Sequence, residues 1–221
     1  KLSPKGVKRD MEWESPWGVG FPGWHVECSA MSRELLGEQI DIHVGGEDLK
    51  STHHPNEIAQ SEAASGKKPF VKYWVHGVFL LVDGKRMGKS MGNAYTLQDI
   101  EEKGFSTMDL RYLYLTAHYR GQMNFTWEAL EAAHNALEKL YRAAEVFGGY
   151  QTYVYPNVGD DIKKVVGEFK EALEDDLNTP KTLGIVWEVL GEIANDEEMM
   201  YFLEEVDKVL GLKMKEEGVT R

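Results

Sequence analysis

Cys28, His53 and Glu57 are the residues of this chain whose types and spacing suit metal chemistry. Cys28 is the only cysteine and closes the run Gly23-Trp-His-Val-Glu-Cys28, while His53 opens the run His53-His-Pro-Asn-Glu57. On a helix, residues four apart project from one face about one turn from each other, so His53 and Glu57 can act together. A thiolate, an imidazole and a carboxylate make a borderline-soft donor set suited to zinc. Three protein donors fall short of the four that close a structural zinc site. Either a position is left for substrate, or a further ligand comes from outside this chain. Plainer readings exist beside that one. A lone cysteine packs as a small hydrophobe, a His-His pair can mark a helix start, and Glu57 can be a solvated helix residue. Spacing alone does not separate them.

The elements around these residues can be read from periodicity and punctuation. Residues 1–22 are rich in Pro, Gly and Trp without a period, which reads as an irregular surface segment. A helix is expected after Pro22-Gly23, ending near Gly37. Ile40-Asp-Ile-His-Val44 is an apolar run stopped by Gly45-Gly46, consistent with a buried strand. Thr52 can cap the next helix, with Pro55 tolerated in its first turn and Gly66 ending it. Val71 to Val82 has the β-branched and aromatic content of one or two strands, with Asp83-Gly84 as a turn. Strand and helix alternate, which points to an α/β domain with parallel strands.

From Thr96 onward the pattern is helical. Trp127, Leu130, Leu137, Leu140, Ala144 and Phe147 follow a helix period that Gly148-Gly149 ends. A linker at 150–157 precedes a second stripe through Ile162, Val165, Val166, Phe169 and Leu173. Thr179-Pro180 opens a third helix through Leu183, Trp187, Leu190 and Ile193. Met199, Phe202, Leu203, Val206 and Leu210 mark a fourth, closed by Gly211. Such stripes make the core of a helical bundle.

Composition narrows the class. The hydrophobic fraction of 42% is that of a globular protein, not a disordered one. No apolar run approaches a membrane span and no signal peptide is visible, so no membrane partner is expected. A single cysteine cannot form an internal disulfide, which fits a reducing, cytoplasmic setting. The net charge of −12 is uneven: residues 1–125 carry 15 basic and 16 acidic side chains, residues 126–221 carry 10 and 21. An acidic half binds phosphate poorly. Contact with a nucleic acid is therefore expected at local clusters such as Lys67, Lys68, Lys72 or Lys85, Arg86, Lys89, although each cluster can equally serve solubility.

Several segments, in order, resemble the cysteinyl-tRNA synthetase family of class I aminoacyl-tRNA synthetases. They are Ser15-Pro-Trp-Gly18, Gly23-Trp-His-Val-Glu-Cys-Ser-Ala-Met31, Asp41-Ile-His-Val-Gly-Gly-Glu-Asp48, His53-His-Pro-Asn-Glu-Ile-Ala-Gln-Ser-Glu62, Tyr73-Trp-Val-His76 and Gly84-Lys-Arg-Met-Gly-Lys-Ser-Met-Gly-Asn93. The resemblance runs from about Asp10 to about Leu212. It implies ATP-dependent activation of cysteine, with Mg2+, and its transfer to tRNA(Cys). It also implies a Zn2+ ion held by Cys28, His53 and Glu57, the family's remaining cysteine belonging to an N-terminal segment that precedes these motifs. A hydrophobic pocket separates isosteric side chains weakly, so a metal that accepts a thiolate would select cysteine over serine.

By the same resemblance, Arg86-Met-Gly-Lys89-Ser90 corresponds to the mobile Lys-Met-Ser-Lys-Ser loop. Lys89 is then the catalytic and ATP-contacting lysine, stabilising charge on the leaving pyrophosphate. Arg86 replaces the motif's first lysine and keeps its charge, while Gly88 replaces its serine and loosens the loop. Gly45 and Gly46, at the end of a strand, would let the backbone approach an adenosine; Val44 stands where the family usually has another glycine. Asp48 would hold the substrate ammonium, and Trp24 would pack beside the amino acid.

The fold class implied is α/β: the C-terminal part of a class I nucleotide-binding, Rossmann-like domain, followed by an α-helical bundle. Residues 1–94 would form the C-terminal half of the catalytic domain, 95–125 a helical region contacting the tRNA stem, and 126–221 the bundle. The family's His-Ile-Gly-His signature does not occur in this sequence. The chain therefore reads as a synthetase fragment, with a separate N-terminal half as an expected partner. Two other readings stand beside it: a mycothiol-type cysteine ligase, and a noncatalytic fragment that binds zinc or cysteine. Asn56-Glu-Ile-Ala-Gln-Ser61 and the family-like tail favour the synthetase over the mycothiol-type ligase.

Overall fold

The computed structural model describes the chain apart from residues 5, 7, 8, 149–157, 193–195 and 215–221. The expected linker at 150–157 and the helix positions Gly149 and Ile193 lie outside the described residues. The chain forms two compact units, Lys1–Val78 and Phe79–Arg221. The boundary expected at 94 falls inside the second.

In the first unit, the segment around residues 13–20 is more regular than its composition suggests. Trp13 and Gly20 form an antiparallel bridge, and Ser15 and Gly18 exchange backbone hydrogen bonds, so Ser15-Pro-Trp-Gly18 is the tip of a hairpin. Helix α1 (Trp24–Leu36) starts after extended Gly23 and ends at Gly37, whose φ of 97° is open to glycine and strained for other residues. Strand β1 (Ile40–Gly46) pairs in parallel with β2 (Val71–Gly77), in the register Ile40↔Val71 to Gly46↔Gly77. Between them run a 3-10 turn (Glu47–Ser51) and helix α2 (His53–Ser65), which ends at left-handed Gly66. This is the expected strand–helix–parallel strand unit.

Two details differ from expectation. Gly45 and Gly46 do not stop β1; both lie in the ladder, opposite His76 and Gly77. The strand is also not buried throughout, since Ile42 and Val44 are exposed. Among the described residues β1 pairs only with β2, and its outer-facing side chains have no cover. The dry core of the first unit is accordingly small: Ile40, Phe70 and Val71, with Ile58 and Trp74 against it.

The second unit begins with a short hairpin, β3 (Leu81–Val82) and β4 (Lys85–Arg86). Its turn residues Asp83 and Gly84 have φ of 50° and 70°, the left-handed pair of a type I′ turn. Strand β5 (Asn124–Phe125), absent from the sequence-based expectations, pairs with β3 in parallel. Two residues carry too little periodicity to register as a strand. Helices α3 (Leu97–Glu102) and α4 (Thr107–Leu115) each open with a complete capping box, Thr96 with Asp99 and Ser106 with Asp109.

Helices α5 (Trp127–Gly148), α6 (Asp160–Glu174), α7 (Thr179–Glu192) and α8 (Asp196–Leu210) follow. Their stripes meet as expected in one core that includes Leu130, Leu137, Leu140, Phe169, Val186, Phe202 and Val206. No helix among the described residues is long and apolar enough to cross a membrane.

Phe169 is almost wholly enclosed in this core, whereas Val209 on α8 is exposed. Truncating Phe169 to Ala should cost about 3–5 kcal/mol. Val209→Ala should change stability by less than about 0.5 kcal/mol. Urea denaturation of the two variants, followed by helical circular dichroism, measures the difference.

Candidate metal centre

Helix α2 turns an unusual face inward. Its buried residues are His53, His54, Glu57 and Ser61, with no leucine or valine among them. Glu57 is completely enclosed, at 0% exposure. A buried carboxylate without partners would cost several kcal/mol, and the surrounding side chains supply them. His43 on β1 places Nε2 at 3.0 and 3.2 Å from the two Glu57 oxygens. On α2 itself, His53 Nε2 lies 3.6 Å and His54 Nε2 3.8 Å from Glu57 Oε2. One carboxylate oxygen is thus ringed by three imidazole nitrogens.

The structure brings together the three residues that the sequence nominated. Donor atoms of Cys28, His53 and Glu57 lie within 4.8 Å of one another, and so do those of His43, His54 and Glu57. Cys28 reaches the site from half-buried α1; its thiol is pushed up from its ordinary value by burial, then by the charges of Glu57 and Glu27. An ion here would therefore have to displace a proton that these surroundings favour, as thiolate ligation requires. The pocket fits a cation on a further observation: His54 Nε2 is buried and has no hydrogen-bond partner.

His54 is held neutral. Burial, followed by neighbouring His43, His76 and His53, lowers its pKa to about 4. Its other nitrogen, Nδ1, is 2.8 Å from His76 Nε2 on β2. Trp74 packs against His43, His54 and His76, with ring centroids 4.9, 4.6 and 6.2 Å away. On the other side, His25 Nδ1 lies 2.7 Å from His53 Nδ1. Five of the seven histidines therefore converge on one pocket. Sequence reasoning missed His25, His43, His54, His76 and Trp74 as site residues. Their signal was their density in the motifs, but which ones meet depends on the β1–β2 register.

The remaining candidates take definite places. Trp24, 57% exposed, lays its ring against His53 at 4.2 Å between centroids. Gly45 serves His54: a Cβ there would stand 2.7 Å from its Cε1 and 2.9 Å from its Nε2. At Gly46 a Cβ would meet Asp48 Oδ1 at 2.5 Å, the tip of an exposed side chain that can turn away, so of the two it is Gly45, against the buried His54 ring, that its neighbours require. Asp48 lies in the exposed 3-10 turn.

Lys89 belongs to the second unit, on an exposed loop that Asn93 fastens. Asn93 Oδ1 accepts from the Gly88 amide at 2.9 Å, and its Nδ2 donates to the Arg86 carbonyl at 3.1 Å. The two lysine clusters also separate. Lys67, Lys68 and Lys72 are paired with Glu38, Glu62 and Asp41, which compensates their charge locally. Among the described residues, Lys85, Arg86 and Lys89 have no such carboxylate within ion-pair distance.

Comparison with known proteins places these features in a family. The model of the tRNA synthetases class I (C) catalytic domain matches residues 4–135, and that of the DALR domain matches residues 168–215. The cysteine–tRNA ligase of Opitutus terrae is 48% identical over 204 residues, covering 91% of this chain and 42% of its own length. Cysteine–tRNA ligase 1 of Burkholderia lata is 42% identical over 217 residues, covering 98% and 44%. The chain thus spans less than half the length of these curated relatives. Among solved structures, the LeuRS of Agrobacterium radiobacter K84, in a ternary complex with tRNA and LeuAMS, shares the fold. Its TM-score is 0.69 at 13% identity, over 94% of this chain and 34% of that one.

Gly45→Ala should force the His54 ring out of its seat, at a cost on the order of 1–3 kcal/mol. Gly77, also in the ladder, has open space where a Cβ would stand, with nothing within 4 Å, and Gly77→Ala is the control. Histidine ring resonances in NMR spectra, with urea denaturation, should register the first change and leave the second near native.

Proposed function

The chain belongs to the class I (C) tRNA synthetases, matching their catalytic domain over residues 4–135, and we propose that it is the cysteine-selecting part of a cysteine–tRNA ligase. Its overall reaction would be ATP-dependent activation of cysteine and transfer to tRNA(Cys). The observation that carries this reading is the buried convergence of Cys28, His53 and Glu57 on one pocket. The relatives' names point the same way, and the match continues into the helical half, which favours the synthetase over a ligase for small amines.

Cys28, His53 and Glu57 would hold a zinc ion, which when bound supplies a soft-acid seat for a thiolate that a hydroxyl cannot match. The other residues do the positioning. His43 hydrogen-bonds both Glu57 oxygens and fixes the carboxylate's orientation, as outer-sphere partners of ligands do. Trp24 covers the His53 ring and would wall the amino-acid site. Asp48 would take the substrate ammonium, and Gly45 and Gly46 would leave the strand end open to the nucleotide. Lys89, on the loop fastened by Asn93, would neutralise charge on the departing pyrophosphate. The Lys85, Arg86, Lys89 cluster is the better candidate of the two for contact with tRNA phosphates.

Metal analysis gives the first test. The native chain should hold about one zinc ion, and Cys28→Ala or His53→Ala should reduce that well below stoichiometric. A native chain without zinc would overturn the metal reading. Pyrophosphate exchange into ATP, with the chain supplemented by the N-terminal half of a curated relative, gives the second. Cysteine should support exchange at least ~100-fold better than serine, and Lys89→Ala should abolish most of it. No exchange with the half supplied would leave only a zinc- or cysteine-binding fragment.

A further inference from the structure

The loop that carries Lys89 leaves a pinned frame and returns to one. Before it, the β3–β4 hairpin is held to the segment of β5. The Leu81 and Asp83 amides donate to the Met123 and Phe125 carbonyls, and the Gly84 amide donates to Asn124 Oδ1 at 2.7 Å. After it, the Thr96 capping box starts α3. Between them, half-buried Asn93 closes the neck of the loop. Its Oδ1 accepts from the Gly88 amide at 2.9 Å and its Nδ2 donates to the Arg86 carbonyl at 3.1 Å. A carbonyl on one residue and an amide two residues on are the pair that a parallel neighbour meets with the amide and carbonyl of a single residue. The Asn93 side chain carries the same two groups in one primary amide. It stands in for a neighbouring strand just beyond the end of β4.

Beyond the neck the backbone is already turned. The Met91 amide donates to the Gly88 carbonyl at 3.0 Å and the Gly92 amide to the Lys89 carbonyl at 3.2 Å. Left-handed Gly92, with φ of 67°, ends the turn. Lys89 therefore opens a closed 3-10 turn, not a stretch of free chain. The loosening expected of Gly88 is countered. Its backbone is extended, a conformation any residue adopts, and a Cβ there would make only ordinary contacts at 3.8 and 4.0 Å. Asn93 holds its amide. A shapeless loop would have to be ordered each time its lysine met a polyanion, and that lost entropy would count against the transition state. We infer that Asn93 is a positioning residue that keeps the Lys89 turn preformed, so that the lysine meets the departing pyrophosphate without a cost of ordering the loop. The inference rests on the reading of Lys89 as the lysine that meets pyrophosphate.

The test is cysteine-dependent pyrophosphate exchange by the chain supplemented with the N-terminal half of a curated relative. It compares the native form with Asn93→Ala, Asn93→Asp and Lys89→Ala. Asn93→Ala should lower kcat about 10–100-fold and leave KM for cysteine near native. Asn93→Asp keeps an acceptor for the Gly88 amide but sets a carboxylate oxygen against the Arg86 carbonyl, so its kcat should fall between the two. Adding Asn93→Ala to Lys89→Ala should cost less than about 2-fold more, because a residue that acts through Lys89 then has nothing left to place. A merely structural loss would multiply instead. Hydrogen exchange at the Gly88 amide, read by NMR on the chain alone, should be slow in the native form and at least ~10-fold faster in Asn93→Ala.

Native kcat in Asn93→Ala, a fully multiplicative loss in the double variant, or an unprotected Gly88 amide in the native chain would each overturn the inference. Should Asn93→Ala fail to fold, Asn93→Asp and the Gly88 amide of the native chain still decide. The reading beneath fails in a different way. Lys89→Ala exchanging pyrophosphate at the native rate, or no exchange with the half supplied, would remove that reading and this inference with it. A slowed Lys89→Ala beside an unimpaired Asn93→Ala would remove only the role of Asn93.

Discussion

Burial of the Glu57 carboxylate is the constraint from which the first unit follows. An enclosed carboxylate must be met by hydrogen-bond donors or positive charge, or its desolvation alone undermines the fold. The chain meets it from two elements: His43 on β1, within hydrogen-bond distance of both oxygens, and His53 on α2, 3.6 Å away. That choice dictates the neighbouring sequence. The inward face of α2 carries polar groups where an ordinary amphipathic helix would carry leucine. β1 carries glycine at position 45 because the buried His54 ring occupies the space a Cβ would need. The apolar core shrinks to Ile40, Phe70 and Val71 with two partners. A unit with so small a dry core depends on satisfying its polar centre, and a cation bound there would stabilise the folded form directly.

The second unit is built on the opposite principle. Its core runs through six helices and the short sheet, and its enclosed side chains are almost all apolar, Leu130, Ile162, Phe169 and Met199 among them. Capping boxes at Thr96 and Ser106 satisfy the first-turn amides that a helix otherwise leaves open. Tyr112 and Trp187 share a 2.9 Å hydrogen bond, so the polar atoms of these two aromatic side chains are paired. Such a unit keeps its shape without a ligand. The exposed loop around Lys89 projects from this rigid frame, fastened by one asparagine at Gly88 and Arg86. A lysine that must meet a transient charge suits a loop with few contacts.

These two logics explain what could be read in advance. Apolar periodicity reports directly on a packed bundle, so the described stripe residues, from Leu130 to Leu210, meet in one core as expected. Turn chemistry was equally legible: Gly37, Gly66 and Asp83-Gly84 stand where the backbone turns left-handed. Cys28, His53 and Glu57 could be nominated because two of them share a helix face and the surrounding motifs resemble a family, and the structure brings their donor atoms within 4.8 Å of one another. His43 and His76 were not, because their contribution depends on a parallel register that aligns His43 with Trp74 and Gly45 with His76, which no local pattern encodes. Gly45 was read as a nucleotide-facing glycine, yet the structure also gives it an internal reason, the His54 ring. β5 was too short to show a period, and Ile42 and Val44 read as buried because apolar content cannot tell which strand face has cover.

The use of histidine around Glu57 carries the last physical point. Lysine or arginine would also satisfy a buried carboxylate, and each would do so permanently, with a fixed charge that repels any arriving cation. Imidazole offers a proton when the carboxylate needs one and a lone pair when a metal takes its place. His54 shows the second condition already: packed among other histidines and Trp74, it is held neutral, with a pKa of about 4 and an unpartnered nitrogen facing the pocket. Beside Glu57 the pocket therefore holds at least one bare imidazole nitrogen, on His54, and no lysine or arginine pairs with the carboxylate among the described residues.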